Sequence, residues 1–326
     1  MNNHVFIYLS LSGGAQETGT LRMMDVGQYL CRIGCTSPMA VTLETLQQVH
    51  RCHLLTVPFE SLSIHCGENI RLELPHIFEK IVVQRRGGFC YENNSLFGWL
   101  LSELGFEVKL LSAQVRNAYT GVYGPPQDHL ILLVNQEGQR WLCDVGFGAG
   151  FRTPLSLETN LPQSQENGVF RIHWRGETLI LETIEREKQL PQGGGKEQAI
   201  KAEESKGVRE IMTDKGQKGW KALYKFTLEA CCLEDFKEMF IYHQTSPSSL
   251  FYCKALCSLH LPSGRITYIG HRLITTHLLG EGTQTQTVVE LSNTEISAIL
   301  KEKFGIELLY PLVPKDVDIV PPSIKY

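Results

Sequence analysis

The sequence predicts an α+β protein in which a helical first third is followed by strands. From Asp25 to Leu104 apolar residues recur at the three- and four-residue spacing of amphipathic helices. After Gly105-Phe106 they recur at the two-residue spacing of strands. A chain of 326 residues exceeds one typical core, so two or three domains are expected.

In the helical third, Val26, Tyr29, Leu30 and Ile33 fall on one face of a first helix. Thr42 can cap a second, carrying Leu43, Leu46 and Val49, and Pro75 suits the first turn of a third, carrying Ile77, Phe78, Ile81 and Val82. The segment 57–62 between them reads as an irregular connector. Next, Arg85-Arg86-Gly87-Gly88 runs into Phe89-Cys90. Leu96, Phe97, Leu100, Leu101 and Leu104 then recur at helical spacing, with Gly105 as a C-terminal cap. A helix should therefore start near Cys90.

Among the strands, 107–116 comes first. A loop through Gly121, Gly124, Pro125 and Pro126 leads to strands at 129–134 and 139–145, joined by Asn135-Gln136-Glu137-Gly138, a hairpin signature. If Gln136 and Glu137 form a two-residue loop, His129 lies directly opposite Asp144. A three-residue loop with a bulge at Gly138 slips that register by about one residue. Further strands are expected at 170–174, 178–184 and 224–228, then a short helix at 233–241 and a loop at 242–249. Strands at 251–261 and 266–275 follow, turned at Ser263-Gly264. Ser292 and Glu295 form a capping box for a last helix carrying Ile296, Ile299 and Leu300, ended by Gly305. Residues 186–221, rich in Lys, Glu, Gln and Gly, read as a flexible solvated insertion. Residues 1–22 read as a detached extension, and the apolar run 5–11 within them has no Lys or Arg before it, which weakens a signal-peptide reading.

Composition narrows the function. A net charge of −4 and a pI near 6.3 argue against nucleic acid as a partner. No apolar run approaches the ~20 residues of a membrane span. Ten cysteines occur without a CxxC pair or a zinc-like arrangement, so they read as reduced thiols of a cytoplasmic protein. Neither a P-loop nor a GxGxxG is present, so a nucleotide-bearing donor would bind across an open cleft by scattered contacts.

Cys90 admits two readings. It can be a buried small hydrophobe, the commonest fate of a free cysteine. It can also be a nucleophile, because a helix N-terminus favours the thiolate. A nucleophilic thiol needs a base and a group that holds the base, and His129 and Asp144 at the two ends of the hairpin supply those types. Such a set would hold a thiolate–imidazolium pair, with the thiol ~4 units below free cysteine. Against it, His129 can be a satisfied strand-end histidine, and Asp144 a turn former before Gly146-Phe147-Gly148.

Arg86-Gly87-Gly88-Phe89-Cys90, the run 129–134 and Asp144-Val145-Gly146-Phe147-Gly148 resemble, in order and spacing, the arylamine N-acetyltransferases. So do Val57-Pro58-Phe59-Glu60, Leu233-Glu234-Asp235-Phe236 and Thr245-Ser246-Pro247, and the resemblance to a vertebrate-type member runs from about Met24 to Lys315. It implies a helical bundle over 23–105, a β-barrel over 106–228 containing the insertion, and an α/β lid over 229–326. Their shared core would be a Cys-His-Asp centre of the cysteine-protease and transglutaminase kind. The implied activity is acetyl transfer from acetyl-coenzyme A to arylamines and arylhydrazines, with O-acetylation of N-hydroxyarylamines, by a ping-pong route through a Cys90 thioester. His129 would be the base and Asp144 its orienter. Phe59, Asp128 and Phe147 would face the acceptor, Phe89, Tyr242 and Ser248 would touch coenzyme A, and Arg86 would brace the site against Glu60. The resemblance implies a monomer with no metal, nucleic-acid or membrane partner. Two departures stand out: Phe89 replaces the Trp more usual in vertebrate members, and Gly124-Pro125-Pro126-Gln127-Asp128 lacks the Thr-Gly that binds coenzyme A in mammalian ones. A thiol hydrolase or transglutaminase-like enzyme would use the same triad on peptides.

Overall fold

The computed structural model describes residues 23–36, 39–117, 121–184, 187–189, 219–280 and 283–321. Helix α1 (Val26–Arg32) is capped by the Asp25 carboxylate, which accepts from the Gln28 N–H at 2.6 Å. The Thr42 hydroxyl does the same for α2 (Leu43–Thr56), accepting from the Thr45 N–H. A short strand β1 (Phe59–Glu60), α3 (Leu62–His65) and α4 (Leu74–Phe78) follow, and the last turns of α4 widen to π geometry over Glu79–Val83. Helix α5 (Cys90–Glu103) is the central strut. Every residue from Cys90 to Gly98 is buried, so polar Glu92, Asn93 and Asn94 are enclosed with the apolar ones and each needs partners.

After α5 come β2 (Glu107–Val115), β3 (His129–Gln136), β4 (Gln139–Cys143), β5 (Leu155–Ser156), β6 (Gln163–Gln165), β7 (Gly168–Arg175), β8 (Thr178–Ile184), β9 (Glu187–Gln189) and β10 (Trp220–Cys231). Eight of them form one sheet in the order β5-β4-β3-β2-β10-β8-β7-β6. It curls into a nearly closed barrel, and side chains bridge the seam. The Gln163 amide accepts from the Ser156 N–H at 2.9 Å and donates to the Ser156 carbonyl at 3.0 Å, while Gln165 Oε1 accepts from the N–H groups of Arg152 and Thr153. The apolar run of β3 is buried on both faces. Leu130, Leu132 and Val134 belong to the core that includes α5, and Ile131 and Leu133 to the barrel interior.

A 3₁₀ turn (Leu233–Phe236) leads into α6 (Lys237–Thr245) and α7 (Leu250–Cys253), then β11 (Leu256–Leu261), β12 (Gly264–Ile269), β13 (Arg272–Gly280), β14 (Thr283–Glu290) and α8 (Asn293–Phe304). The second sheet has the order β1-β11-β12-β13-β14-β9, and α8 lays Ile296, Leu300 and Phe304 into its core. Ser292 and Glu295 cap α8 as expected, and Gly305 ends it in the left-handed conformation.

Several expectations need correction. The 57–62 connector contains β1, which pairs with β11 and joins the helical third to the C-terminal sheet. The strand expected over 266–275 is two strands turned at Gly270-His271, and 251–253 is helical. Residues 242–245 complete α6 rather than opening a loop. The segment read as insertion is strand at both ends: Glu187–Gln189 pairs in parallel with β14, and Trp220 opens β10 with the Arg171 guanidinium 4.2 Å above its ring. The interior of that insertion and residues 1–22 lie outside the described residues.

The segment entering α5 is anchored by a buried ion pair. Arg86 Nε and Nη2 donate to the Glu60 carboxylate at 3.0 and 3.2 Å, and Nη1 reaches Glu68 at 3.2 Å. The N–H groups of Leu62 and Gly87 complete the shell of Glu60. Burial alone would raise the Glu60 carboxyl, but Arg86 holds it below its ordinary range. Gly87 is required here, because a Cβ on it would stand 1.9 Å from the Pro58 carbonyl oxygen. Arg86→Ala leaves Glu60 charged, buried and without its guanidinium. The expected loss is about 3–5 kcal/mol, read from urea unfolding.

Candidate active site

Cys90 is the first residue of α5 and only 2% exposed. The Phe89 N–H just before it donates to Glu92 Oε2 at 3.1 Å, and Glu92 is held in turn by Lys80 at 2.7 Å. The helix start is therefore fixed by a side chain reaching back from its third position. His129 is the first residue of β3, and Asp144 follows the last residue of β4.

The hairpin turn is neither of the two expected. Gln136 pairs with Gln139, so the loop is Glu137-Gly138, with both residues left-handed at φ 51° and 75°, as the favoured two-residue turn requires. The ladder pairs Leu132 with Cys143, which sets Asp144 one step on, opposite Ile131. His129 instead pairs across β2 with Ala113. A shift of two residues keeps the side chains on the same face. His129 and Asp144 thus meet diagonally, with Nε2 2.8 Å from Asp144 Oδ2.

Asp144 accepts four hydrogen bonds. Oδ2 takes His129 Nε2 and the Tyr224 hydroxyl at 3.1 Å, and Oδ1 takes the Asn94 amide and the Gly146 N–H, both at 2.9 Å. Its own N–H donates to His50 Nε2 at 3.1 Å, while His50 Nδ1 faces the Arg152 carbonyl. Since Nε2 must accept, His50 is neutral, and burial pushes it down to about 4. Burial would raise Asp144, but His129 and the other donors hold its carboxyl below the ordinary range. Burial would likewise lower His129, but the Asp144 charge and hydrogen bond raise it to about 10. With Nε2 committed to Asp144, Nδ1 is the nitrogen left for the Cys90 thiol. Burial pushes that thiol up, and the hydrogen bond and charge of His129 pull it back down. Burial therefore works against the expected drop of ~4 units, and His129 is the group that works toward it. Gly146 permits the close approach of the Asp144 turn, since a Cβ there would stand 2.8 Å from Cys90 Cα.

A thiol whose ionisation answers to an imidazole that a buried carboxylate braces is suited to covalent acyl transfer. A family model described as N-acetyltransferase matches residues 42–313. Arylamine N-acetyltransferase, pineal gland isozyme NAT-10, of Gallus gallus is 35% identical over 298 residues, covering 90% of this chain and 98% of its own length. The chain belongs to the arylamine N-acetyltransferase family. Human arylamine N-acetyltransferase 1 is also 35% identical, over 301 residues covering 90% of this chain and 98% of its own. The arylamine N-acetyltransferase of Salmonella typhimurium superposes with a TM-score of 0.72 at 25% identity, over 89% of this chain and 94% of that one. The Mycobacterium marinum enzyme solved in complex with CoA gives 0.70 at 26% identity, over 86% and 93%.

The other expected site residues are dispersed around this family core. The Phe147 ring lies 5.4 Å from that of His129 and 5.3 Å from that of Tyr224, and half-buried Phe59 packs edge-on to Phe251. Phe89 is wholly enclosed, stacked 5.4 Å from Phe240, so its side chain offers a donor no surface. Tyr242 lies on α6, and Ser248 in the turn beyond it. The Asp128 carboxylate is engaged by the Val115 N–H at 3.1 Å and by His243 at 3.3 Å. Among the described residues, no group of three or more His, Cys, Asp or Glu is arranged to hold a metal.

The sequence alone does not single out Asn94, Tyr224 or His50. Asn94 carries a signal, standing four residues after Cys90 on the same helical face. His50 sits beside the apolar stripe of α2. Asp144→Asn removes the charge that sustains the imidazolium, and with it the downward pull on the thiol. Alkylation of Cys90 by iodoacetamide at pH 7 should slow about tenfold or more, as one pKa unit is a tenfold change in ionised fraction. Following the modified peptide by mass spectrometry checks this.

Proposed function

We propose that this chain transfers an acetyl group from acetyl-coenzyme A to arylamines and arylhydrazines through a thioester on Cys90. The observation that carries the reading is His129, 2.8 Å from the buried Asp144 carboxylate and pulling the Cys90 thiol down by its charge, in a chain of this family. Acetyl-coenzyme A as donor is supported by the solved complex of a relative with CoA, and the acceptor class by the names of the relatives.

In the first half-reaction the Cys90 thiolate attacks the acetyl carbonyl. The C–S bond to coenzyme A breaks, and the departing thiolate takes the proton carried by His129. In the second, the aromatic nitrogen attacks the acetyl-Cys90 carbonyl. The bond to Cys90 sulfur breaks, and the nitrogen's proton passes to His129, restoring the ion pair. Arylamines are weak bases and largely neutral at pH 7, so the nitrogen lone pair is available. Asp144 keeps the ring in one orientation and stabilises its charged form, as in other triads. Phe147 and Phe59 supply apolar surface to an aromatic acceptor. The same chemistry extends to O-acetylation of N-hydroxyarylamines.

The three domains, over 23–105, 106–228 and 229–326, form the working unit, a monomer of the cytoplasm. Among the described residues, no helix is long and apolar enough to cross a membrane.

Incubation with acetyl-coenzyme A should add one acetyl group, located on Cys90 by peptide mass spectrometry. Initial rates against both substrates should give parallel double-reciprocal lines, and Cys90→Ala should abolish both results. An unmodified Cys90 in folded protein, or turnover of peptide or glutamine substrates without coenzyme A, contradicts the reading.

A further inference from the structure

Helix α6 touches the residue that precedes each member of the reacting pair. Its Phe240 stacks on Phe89, just before Cys90. Its His243 meets Asp128, just before His129, with Nε2 3.2 Å from the Asp128 carbonyl oxygen and 3.3 Å from Oδ1. The Asp128 turn is under constraint. Gln127 is left-handed at φ 57°, an unfavourable conformation for a residue with a Cβ. Three contacts besides His243 hold the turn: the Tyr91 hydroxyl on the Gln127 and Asp128 carbonyls at 2.6 and 3.1 Å, the Ser112 hydroxyl accepting from the Gln127 N–H, and the Val115 N–H on Asp128 Oδ2.

His243 is itself oriented. The Ser249 hydroxyl donates to the His243 carbonyl and lies 3.0 Å from Nδ1. Both Asp128 atoms facing Nε2 are acceptors, so Nε2 carries a ring proton and donates. The ring packs on Phe251, Tyr91 and Tyr242. It is buried, and a side chain without a donor here would leave Asp128 Oδ1 without its His243 partner.

We propose that His243 is a positioning residue. By donating to Asp128 it holds the strained Gln127-Asp128 turn, and so sets the approach of His129 to Cys90 from helix α6. The inference rests on the thiol chemistry proposed above, and it gives Asp128 a positioning role in addition to any contact with acceptor.

The test compares wild type, His243→Leu and His243→Gln in the full chain. The readout is the rate of iodoacetamide alkylation at Cys90 across pH 6–9, together with the thermal midpoint. Gln can place an amide N–H near the position of Nε2, and Leu cannot. Because small misplacements of reacting groups cost up to ~100-fold, His243→Leu should slow alkylation at pH 7 about tenfold and shift the pH profile upward. His243→Gln should stay within about threefold with the wild-type profile. Should Leu fail to fold, His243→Phe keeps the ring contacts and removes the Nε2 donor, and the same outcomes apply. Wild-type rates and profile in the donor-less variant, with or without a lower thermal midpoint, overturn the proposal. So does a Gln variant as slow as Leu, which would assign the effect to ring packing. Alkylation needs no acetyl donor, so the comparison decides the question even if acetyl-coenzyme A leaves wild-type Cys90 unmodified, a result that would instead remove the acetyl-transfer reading.

Discussion

A carboxylate enclosed away from water has to be surrounded by donors, and Asp144 draws its donors from separate regions of the chain. His129 begins β3, Asn94 lies in α5, Tyr224 in β10 and Gly146 in the turn itself, while His50 of α2 receives the Asp144 N–H. The helical third, the barrel and the hairpin turn must all be in place before this charge is satisfied. The site is therefore assembled by the fold as a whole, and its chemistry depends on that assembly. Asn94 shows the economy of the arrangement: one amide donates to Asp144 and to the Leu130 carbonyl, and accepts from the Val145 N–H. It thereby clamps the Cys90 helix to both arms of the hairpin.

A second buried charge has the corresponding role on the other side of the helix start. Glu60 and Arg86 join β1 to the residues leading into Cys90, and β1 is also the edge strand of the C-terminal sheet. The thiol is thus flanked on two sides by rigid elements, one carrying His129 and one carrying the helix start. Burial makes each of these polar groups costly if left alone. The same burial strengthens the Asp144–His129 attraction, which is why the imidazole is raised while the thiol stays under opposing influences.

Much of this is legible in the sequence. The helical and strand periods, the caps Thr42 and Ser292, and the start of α5 at Cys90 all follow from local patterns. Hairpin register does not. The expected loop at Gln136-Glu137 places His129 opposite Asp144, whereas Glu137-Gly138 forms the turn, and the two meet only because a slip of two residues preserves the face. Strand β14 is invisible because its Thr and Gln residues carry no apolar alternation and stay largely exposed. Strand β1 has two residues, too few for any period, and its pairing with β11 joins segments far apart in the chain. Tyr224, His50 and His243 act through long-range contacts that spacing along the chain does not encode.

The proposed chemistry turns on Asp144 holding His129 in its charged form. The raised His129 value means that the stabilisation from the imidazolium is complete below the unfolded value near 6.5 and is lost as pH rises through about 10. Nitrogen-15 NMR of histidine-labelled protein, with His129 assigned by its His129→Gln variant, reads this directly. The expected result is a His129 ring protonated on both nitrogens from pH 6 through pH 8, titrating only well above neutrality. A neutral ring at pH 7, with one nitrogen bare, would contradict it.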